Sequence, residues 1–302
     1  MTPPNIPCLI LGYARTDALI QLIQKADFLG FNPIYISLDG PKDSDVADAQ
    51  SQLKNQISII ASNLSATLYT KFSSLNLGVR KGVISGIDWF FENESLGAIF
   101  EDDLLVSDDF LEFIRYGLLH LSENPDALLV SGCRFSNIST KVAATNYPLI
   151  WGWATTRSNW RIMRSAIFGR PKVRLSMDAV RNYWQVGSLR VYKGKIDTWD
   201  IPLANFMRFS HFYCLLPPVN LTSNVGFDLY AAHTKKLEFP LGMALKRLPN
   251  EVWQNKQLAT GIEQENAFLE KFVYKISFRH RFSMFRFFLA DIFSPIMPTK
   301  TR

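Results

Sequence analysis

The feature that most constrains this chain is an alternation, as far as Gly132, of short apolar runs with segments of helical periodicity. Cys8–Tyr13, Pro33–Leu38, Ala66–Tyr69, Gly97–Phe100 and Ala127–Gly132 are each four to six residues long and bounded by polar or turn residues. Runs of that length read as buried strands. Between them, Leu19, Ile20, Ile23 and Ala26 recur at helical spacing, as do Val83, Ile87, Trp89 and Phe90, and then Phe110, Phe113, Ile114 and Leu118. A polar helix is predicted near residues 43–61, and Thr16 and Ser107 are candidate helix caps. Strands that alternate with helices must be joined by crossovers, which predicts an α/β fold: a mostly parallel central sheet flanked by helices. The 47% hydrophobic and 20% charged residues supply a core for such a sheet.

In a parallel sheet, ligands sit beyond the carboxyl ends of the strands. Three polar groups fall there: Tyr13-Ala14-Arg15, Asp39-Gly40 and Glu101-Asp102-Asp103. The last is the most informative. Three carboxylates at the end of an apolar strand are costly unless a cation compensates them. Hard oxygen donors suit Mg²⁺ or Mn²⁺, and an ion so held would bind a nucleotide diphosphate and stabilise it as it leaves. The plain alternative is a solvated acidic turn that caps the next helix, a task for which Asp108 and Asp109 are better placed.

The strand, Glu101-Asp102-Asp103 and the Asp109-Phe110-Leu111 helix start together resemble the acidic motif of GT-A-fold glycosyltransferases. The likeness is in particular to the N-acetylglucosaminyltransferase I-like group and bacterial surface-polysaccharide glycosyltransferases. It continues, in order, through Leu9–Arg15, Tyr35–Gly40, Asn76–Gly82, Ile87–Glu92, Trp151–Thr155, Thr198–Asp200, Asn224–Phe227 and Ala232-His233-Thr234. The resemblance implies a GT-A (Rossmann-like) catalytic domain over residues 1–240, with a nucleotide-sugar half of about 1–135, an acceptor half of about 136–240, and a helical extension over 241–302. It also implies roles. Arg15 contacts the nucleotide, although Ala14 stands where bacterial relatives often carry Asn. Asp39 binds uracil or ribose, unless it serves only its Asp-Gly turn. Asp103 is the direct metal ligand, with Glu101 and Asp102 in support and His233 on the metal or diphosphate. Lys81 either neutralises diphosphate or belongs to a solvated basic face. Asp200 matches the base of inverting members, with Asp197 three residues away as the competing choice. Trp151, Trp153 and Trp199 either shape the sugar pocket or pack in the core.

The expected activity is therefore metal-dependent, inverting transfer of a hexosyl-type sugar from a nucleotide-sugar donor, UDP-sugar first, to a glycan or lipid-linked glycan. A nucleotidyltransferase of related fold is the rival enzyme, but Gly12-Tyr13-Ala14-Arg15 lacks its Gly-rich basic loop. A non-catalytic nucleotide-sugar-binding protein is the rival outside catalysis. The net charge of +6 fits a phosphate-bearing ligand. Nucleic acid is not expected, because no zinc-finger spacing or RNA-recognition signature occurs.

Cys8, Cys133 and Cys214 match no zinc or CxxC pattern and suggest a reducing compartment. The first residues have no basic start or long apolar stretch, so no signal peptide is expected, and no run of about twenty apolar residues suggests a span. A cytoplasmic location follows, at the inner face of the plasma membrane if the acceptor is lipid-linked. Phe278, Phe282, Phe285, Leu289 and Ile292 fall at helical spacing, with Lys275, Arg279, Arg281 and Arg286 beside them. Residues 271–294 thus form either a peripheral membrane contact or a helix that closes the core.

Overall fold

The computed structural model describes residues 5–136, 141–174, 176–225, 245–249, 262–277, 284 and 287. The strands read from the sequence are present as β1 (Ile6–Gly12), β2 (Phe31–Leu38), β3 (Leu68–Phe72), β4 (Leu96–Glu101) and, after a short β5 (Leu104–Val106), β6 (Ala127–Ser131). Helices α1 (Thr16–Leu29), α2 (Ser44–Ala61), α3 (Gly78–Asn93) and α4 (Phe110–Glu123) fill the intervals. The second half adds β7 (Ala143–Thr145), β8 (Trp153–Thr156), α5 (Arg157–Phe168), α6 (Ala179–Tyr192), α7 (Asp200–Arg208), β9 (Tyr213–Leu216) and β10 (Thr222–Asn224). Last comes α8 (Ile262–Phe268), continued by a turn of π-helix, Leu269–Val273.

Eight strands form one sheet in the order β3-β2-β1-β4-β8-β6-β9-β7. β1, β2, β3, β4, β6 and β9 run one way and β7 and β8 the other, so the expected mostly parallel sheet is present. Period-two alternation divides the core between its faces. Ile6, Cys8 and Ile10 of β1 join Ile34, Ile36, Phe100 and the apolar sides of α1, α2 and α4. Leu9 and Leu11 join Ile99, Ile84, Ile87 and Phe90 of α3, and Trp160, Trp184 and Leu203 of α5 to α7. The result is three layers, helices on both faces of a sheet. The chain moves outward from β1 to β3 with α1 and α2 on one face, then returns by α3 on the other to enter β4 beside β1. The ends of β1 and β4 therefore flank the point where strand order reverses, where an open α/β sheet leaves its crevice.

Two expected caps are different. The α1 cap position is Arg15, which makes no side-chain cap bond, and Thr16 is the first helical residue. Ser107 lies ahead of α4 and donates its hydroxyl to the Lys246 carbonyl at 2.8 Å. Asp108 and Asp109 do not cap α4 either: Asp108 pairs with Lys25 and Arg247, and Asp109 accepts from Arg247 and the Leu248 amide. Three-residue β5 pairs antiparallel with β10, placing Asn224 opposite Leu104. A strand that short shows no periodicity in sequence.

Residues 262–277 pack back on the sheet domain through polar anchors. Glu265, 1% exposed, meets the Arg134 guanidinium at 2.6 Å and accepts from Ser136. Asn266, fully buried, accepts from the Thr145 hydroxyl at 2.7 Å and the Asn146 amide at 2.9 Å. Removing one partner of a buried pair strands the other charge. Glu265→Ala is expected to cost about 3–5 kcal/mol, measured by chemical denaturation; a loss below about 1 kcal/mol would show that the anchor is dispensable. The apolar stripe of Phe278, Phe282, Phe285, Leu289 and Ile292 lies outside the described residues. Among the described residues no helix is long and apolar enough to cross a membrane.

Candidate functional site

The register of β1 with its two neighbours builds the site. Leu11 pairs with Glu101 of β4 and Gly12 with Leu38 of β2, so the three strand-end loops leave the sheet side by side. The Tyr13 amide donates to Asp102 Oδ2 at 2.9 Å, and Arg15 Nη1 lies 2.9 Å from Asp102 Oδ1 and 3.2 Å from Asp103 Oδ2. On the far side, Asn224 Nδ2 donates to Asp103 Oδ1 at 3.2 Å, and the Val225 amide donates to the Asp103 carbonyl at 2.8 Å. Asp102 and Asp103 are 5% and 8% exposed, so this is an inward-facing cluster and not a solvated turn.

Arg15 faces more negative charge than it neutralises. Burial pushes the Glu101 carboxyl up to about 8, with Asp103, Asp102 and Asp200 adding to the rise and Arg15 opposing it. Burial and then Asp102 push Asp103 up to about 6, against Arg15 and the Asn224 bond. Among the described residues no three His, Cys, Asp or Glu side chains form a ready metal cage. Three adjacent carboxylates with one guanidinium among them nevertheless fit Mg²⁺ or Mn²⁺ in chemistry, since such ions usually bind through one or two carboxylates and complete their shell with phosphate and water. Asp103 is the natural anchor and Glu101 the neighbour that gains from added positive charge. His233 lies outside the described residues.

Asp39 spends its carboxylate on the backbone. It accepts from the amides of Gly40 at 2.9 Å, Leu77 at 2.9 Å and Gly78 at 3.0 Å, tying the start of α3 to the end of β2. A Cβ at Gly82 would come 3.0 Å from Asp39 Cγ, so glycine there allows the close approach. Asn76 Nδ2 donates to the Gly40 carbonyl at 2.7 Å. Beneath these loops sits a residue that sequence reading passes over. Gln50, 1% exposed, donates from Nε2 to the carbonyls of Tyr13 at 3.0 Å and Asp39 at 2.8 Å. It bolts the β1 and β2 loops together. Its polar character within a polar helix conceals it; the only sequence signal is that it shares a helix face with Val46, Leu53 and Ile57, all buried. Gln50→Leu leaves two carbonyls without this donor and is expected to cost about 1–3 kcal/mol by denaturant titration. An unchanged unfolding midpoint would contradict that role.

The two candidate bases occupy different places. Asp197 accepts from the Val79 amide at 3.0 Å and the Arg80 amide at 3.3 Å, closing the first turn of α3. Gly78, at φ +79°, leaves room for it: a Cβ there would fall 2.7 Å from Asp197 Oδ2. Asp200 opens α7. Its Oδ1 accepts from the Thr198 hydroxyl and, at 2.9 Å, from the Ile201 amide, while its charge acts on Glu101. Oδ2 makes no hydrogen bond among the described residues. Lys81 is exposed on the outer side of α3, in a shallow depression with Lys71, Ser85, Asp88 and Arg164, none of which belongs to the strand-end cluster. Trp153 and Trp199 stack on each other at 6.0 Å and are 1% and 3% exposed, which makes both core residues. Trp151 is half-buried against Phe135.

No protein-family profile and no curated protein matches the sequence. Three solved structures show its distant likenesses. A UDP-glucose pyrophosphorylase complexed with UDP-glucose aligns over 70% of this chain and 90% of its own, at 10% identity and a TM-score of 0.36. The glycosyltransferase GlyE of Streptococcus pneumoniae TIGR4 aligns over 70% of this chain and 45% of its own, at 10% identity and a TM-score of 0.37. HddC from Yersinia pseudotuberculosis aligns over 51% of this chain and 77% of its own, at 9% identity and a TM-score of 0.33. Likeness this distant carries no argument about activity, which rests on the residues above.

Proposed function

We propose that this chain is a metal-dependent, inverting glycosyltransferase that moves a sugar from a nucleotide-sugar donor, UDP-sugar first, to a hydroxyl of a glycan or lipid-linked glycan. One observation carries the reading. Asp102 and Asp103, buried at the end of β4, hold Arg15 from the loop after β1, and the charge of Asp200, from a helix about a hundred residues later, acts on Glu101 of the same turn. An isolated structural ion pair has no use for a third and a fourth acid; a site that receives a cation and a diphosphate does.

The residues divide the work as follows. Asp103 and Glu101 would hold Mn²⁺ or Mg²⁺, and the ion, when bound, offsets charge on the departing diphosphate. His233 is proposed as a further ligand from the sequence likeness alone. Arg15 presents a planar guanidinium to the phosphates and is itself aimed by Asp102. Asp39 fixes the Asn76–Gly78 turn that borders the nucleoside site. Asp200 Oδ2 takes the proton from the acceptor hydroxyl as that oxygen bonds to the anomeric carbon. The bond from that carbon to the diphosphate oxygen breaks on the opposite side, which inverts the centre. Asp197 is assigned to α3, and Lys81 is left out of the diphosphate site.

Thermal-shift titration with nucleoside diphosphates and nucleotide sugars tests this, because a ligand that binds only the folded chain raises its apparent stability. UDP or a UDP-sugar is expected to raise the unfolding temperature with Mn²⁺ and much less with EDTA. No shift from any nucleotide, with or without metal, would overturn the proposal.

A further inference from the structure

Near Asp200 lies a group of aromatic side chains that the reading above leaves unused. Tyr274 stands edge-on to Trp184, with ring centres 4.9 Å apart and planes at 88°, and leans on Tyr147 at 5.0 Å. Tyr183 is edge-on to the same indole at 5.1 Å. The polar atoms beneath are matched: Trp184 Nε1 donates to the Tyr147 hydroxyl at 3.0 Å, and that hydroxyl donates to Glu270 Oε1 at 2.8 Å. Arg208 Nε donates to the same oxygen at 2.6 Å. The Tyr274 hydroxyl is different. It makes no hydrogen bond among the described residues, although its residue keeps part of its surface accessible. That hydroxyl is left to solvent, where an oxygen of a ligand can take the place of water.

Helix phase carries this group to Asp200. Tyr183 and Gly187 lie four residues apart on one face of α6, and a Cβ at Gly187 would come 3.0 Å from Ile201 Cγ2, the residue after Asp200. The charge of Asp200 is felt by the phenols of both Tyr183 and Tyr274 as well as by Glu101. The anchors at Glu265, Asn266 and Glu270 hold the segment that delivers Tyr274.

We propose that residues 262–277 complete an acceptor pocket in which Tyr183 and Tyr274 border a neutral sugar ring, the Tyr274 hydroxyl bonding one of its oxygens while another of its hydroxyls faces Asp200. This rests on the transferase reading above. Aromatic rings accept the C–H face of a pyranose and a phenol supplies the directional bond. Asp200, the acid such a sugar would meet, disfavours an anionic one.

The test uses the full chain and saturation-transfer NMR with the methyl β-glycosides of glucose, galactose and N-acetylglucosamine, with UDP affinity in Mn²⁺ measured on the same samples. At least one glycoside is expected to bind. Tyr274→Phe keeps the ring and its packing and is expected to weaken that glycoside about three- to tenfold, the worth of one neutral hydrogen bond. Tyr274→Ala is expected to weaken it further, with UDP affinity within about twofold of wild type in both variants. Absence of glycoside binding by the wild-type chain, or equal binding by Tyr274→Phe, would overturn the proposal. Glycoside binding that depends on Tyr274 without any UDP binding would sink the donor assignment and leave this pocket standing.

Discussion

Asp103→Ala is expected to abolish the metal-dependent part of nucleotide binding and, with it, nearly all transfer. Asp103 is the third carboxylate of the β4 turn, held on one oxygen by Arg15 and on the other by Asn224, so its position does not depend on a ligand. Stabilisation of leaving-group charge by a bound ion is worth several kcal/mol, which sets the loss of transfer at about a hundredfold or more. Calorimetry separates this from general damage. In EDTA the variant should bind UDP as well as wild type or slightly better, because a carboxylate that repels phosphate has gone and Arg15 remains. In Mn²⁺ only the wild-type chain should gain affinity. An equal Mn²⁺-dependent gain in a folded Asp103→Ala protein would remove Asp103 from the metal site.

Asp200→Asn is expected to keep donor affinity and lower turnover by about 10²–10⁴-fold, the usual range for a lost general base. Asparagine retains an oxygen to receive the Thr198 hydroxyl and the Ile201 amide, so α7 should start as it does now. What is lost is the second carboxylate oxygen, which makes no hydrogen bond among the described residues and is the one able to accept a proton. Asp197→Asn is the control. Its carboxylate closes the first turn of α3, and its change should cost stability of about 1 kcal/mol with turnover within a few-fold of wild type. The reverse pattern, a damaging Asp197→Asn and a mild Asp200→Asn, would exchange the two assignments.

The first half of the fold was legible because the strands of a covered sheet are apolar on both faces, and the ends of such runs are where polar groups must emerge. Glu101-Asp102-Asp103 stood out for that reason, and the register of β1 with β4 shows why Arg15 meets it. Partners contributed from far along the chain were not legible. Asn224 reaches Asp103 through a three-residue ribbon with too few positions to show a period. Gln50 is a buried amide in a helix that reads as polar, and only its phase with Val46, Leu53 and Ile57 marks it. Lys81 was readable from glycines. A Cβ at Gly78 would crowd Asp197, at Gly82 Asp39 and at Gly86 Leu11, so the face bearing every fourth residue is the inward one and Lys81 projects elsewhere. For Trp153 and Trp199 the sequence left two readings open, and the core is the one they take, since an aromatic beside a predicted site is as ready to fill the core as to hold a sugar.

Phosphorus-31 and proton NMR of the full chain with Mg²⁺ and a panel of UDP-hexoses and UDP-N-acetylhexosamines tests the central claim most directly. At least one donor is expected to release UDP, slowly to water and faster when a sugar acceptor is added, with the new glycosidic bond opposite in configuration to the donor. No UDP from any donor, or formation of UDP-sugar and pyrophosphate from UTP and a sugar 1-phosphate in its place, would contradict the account.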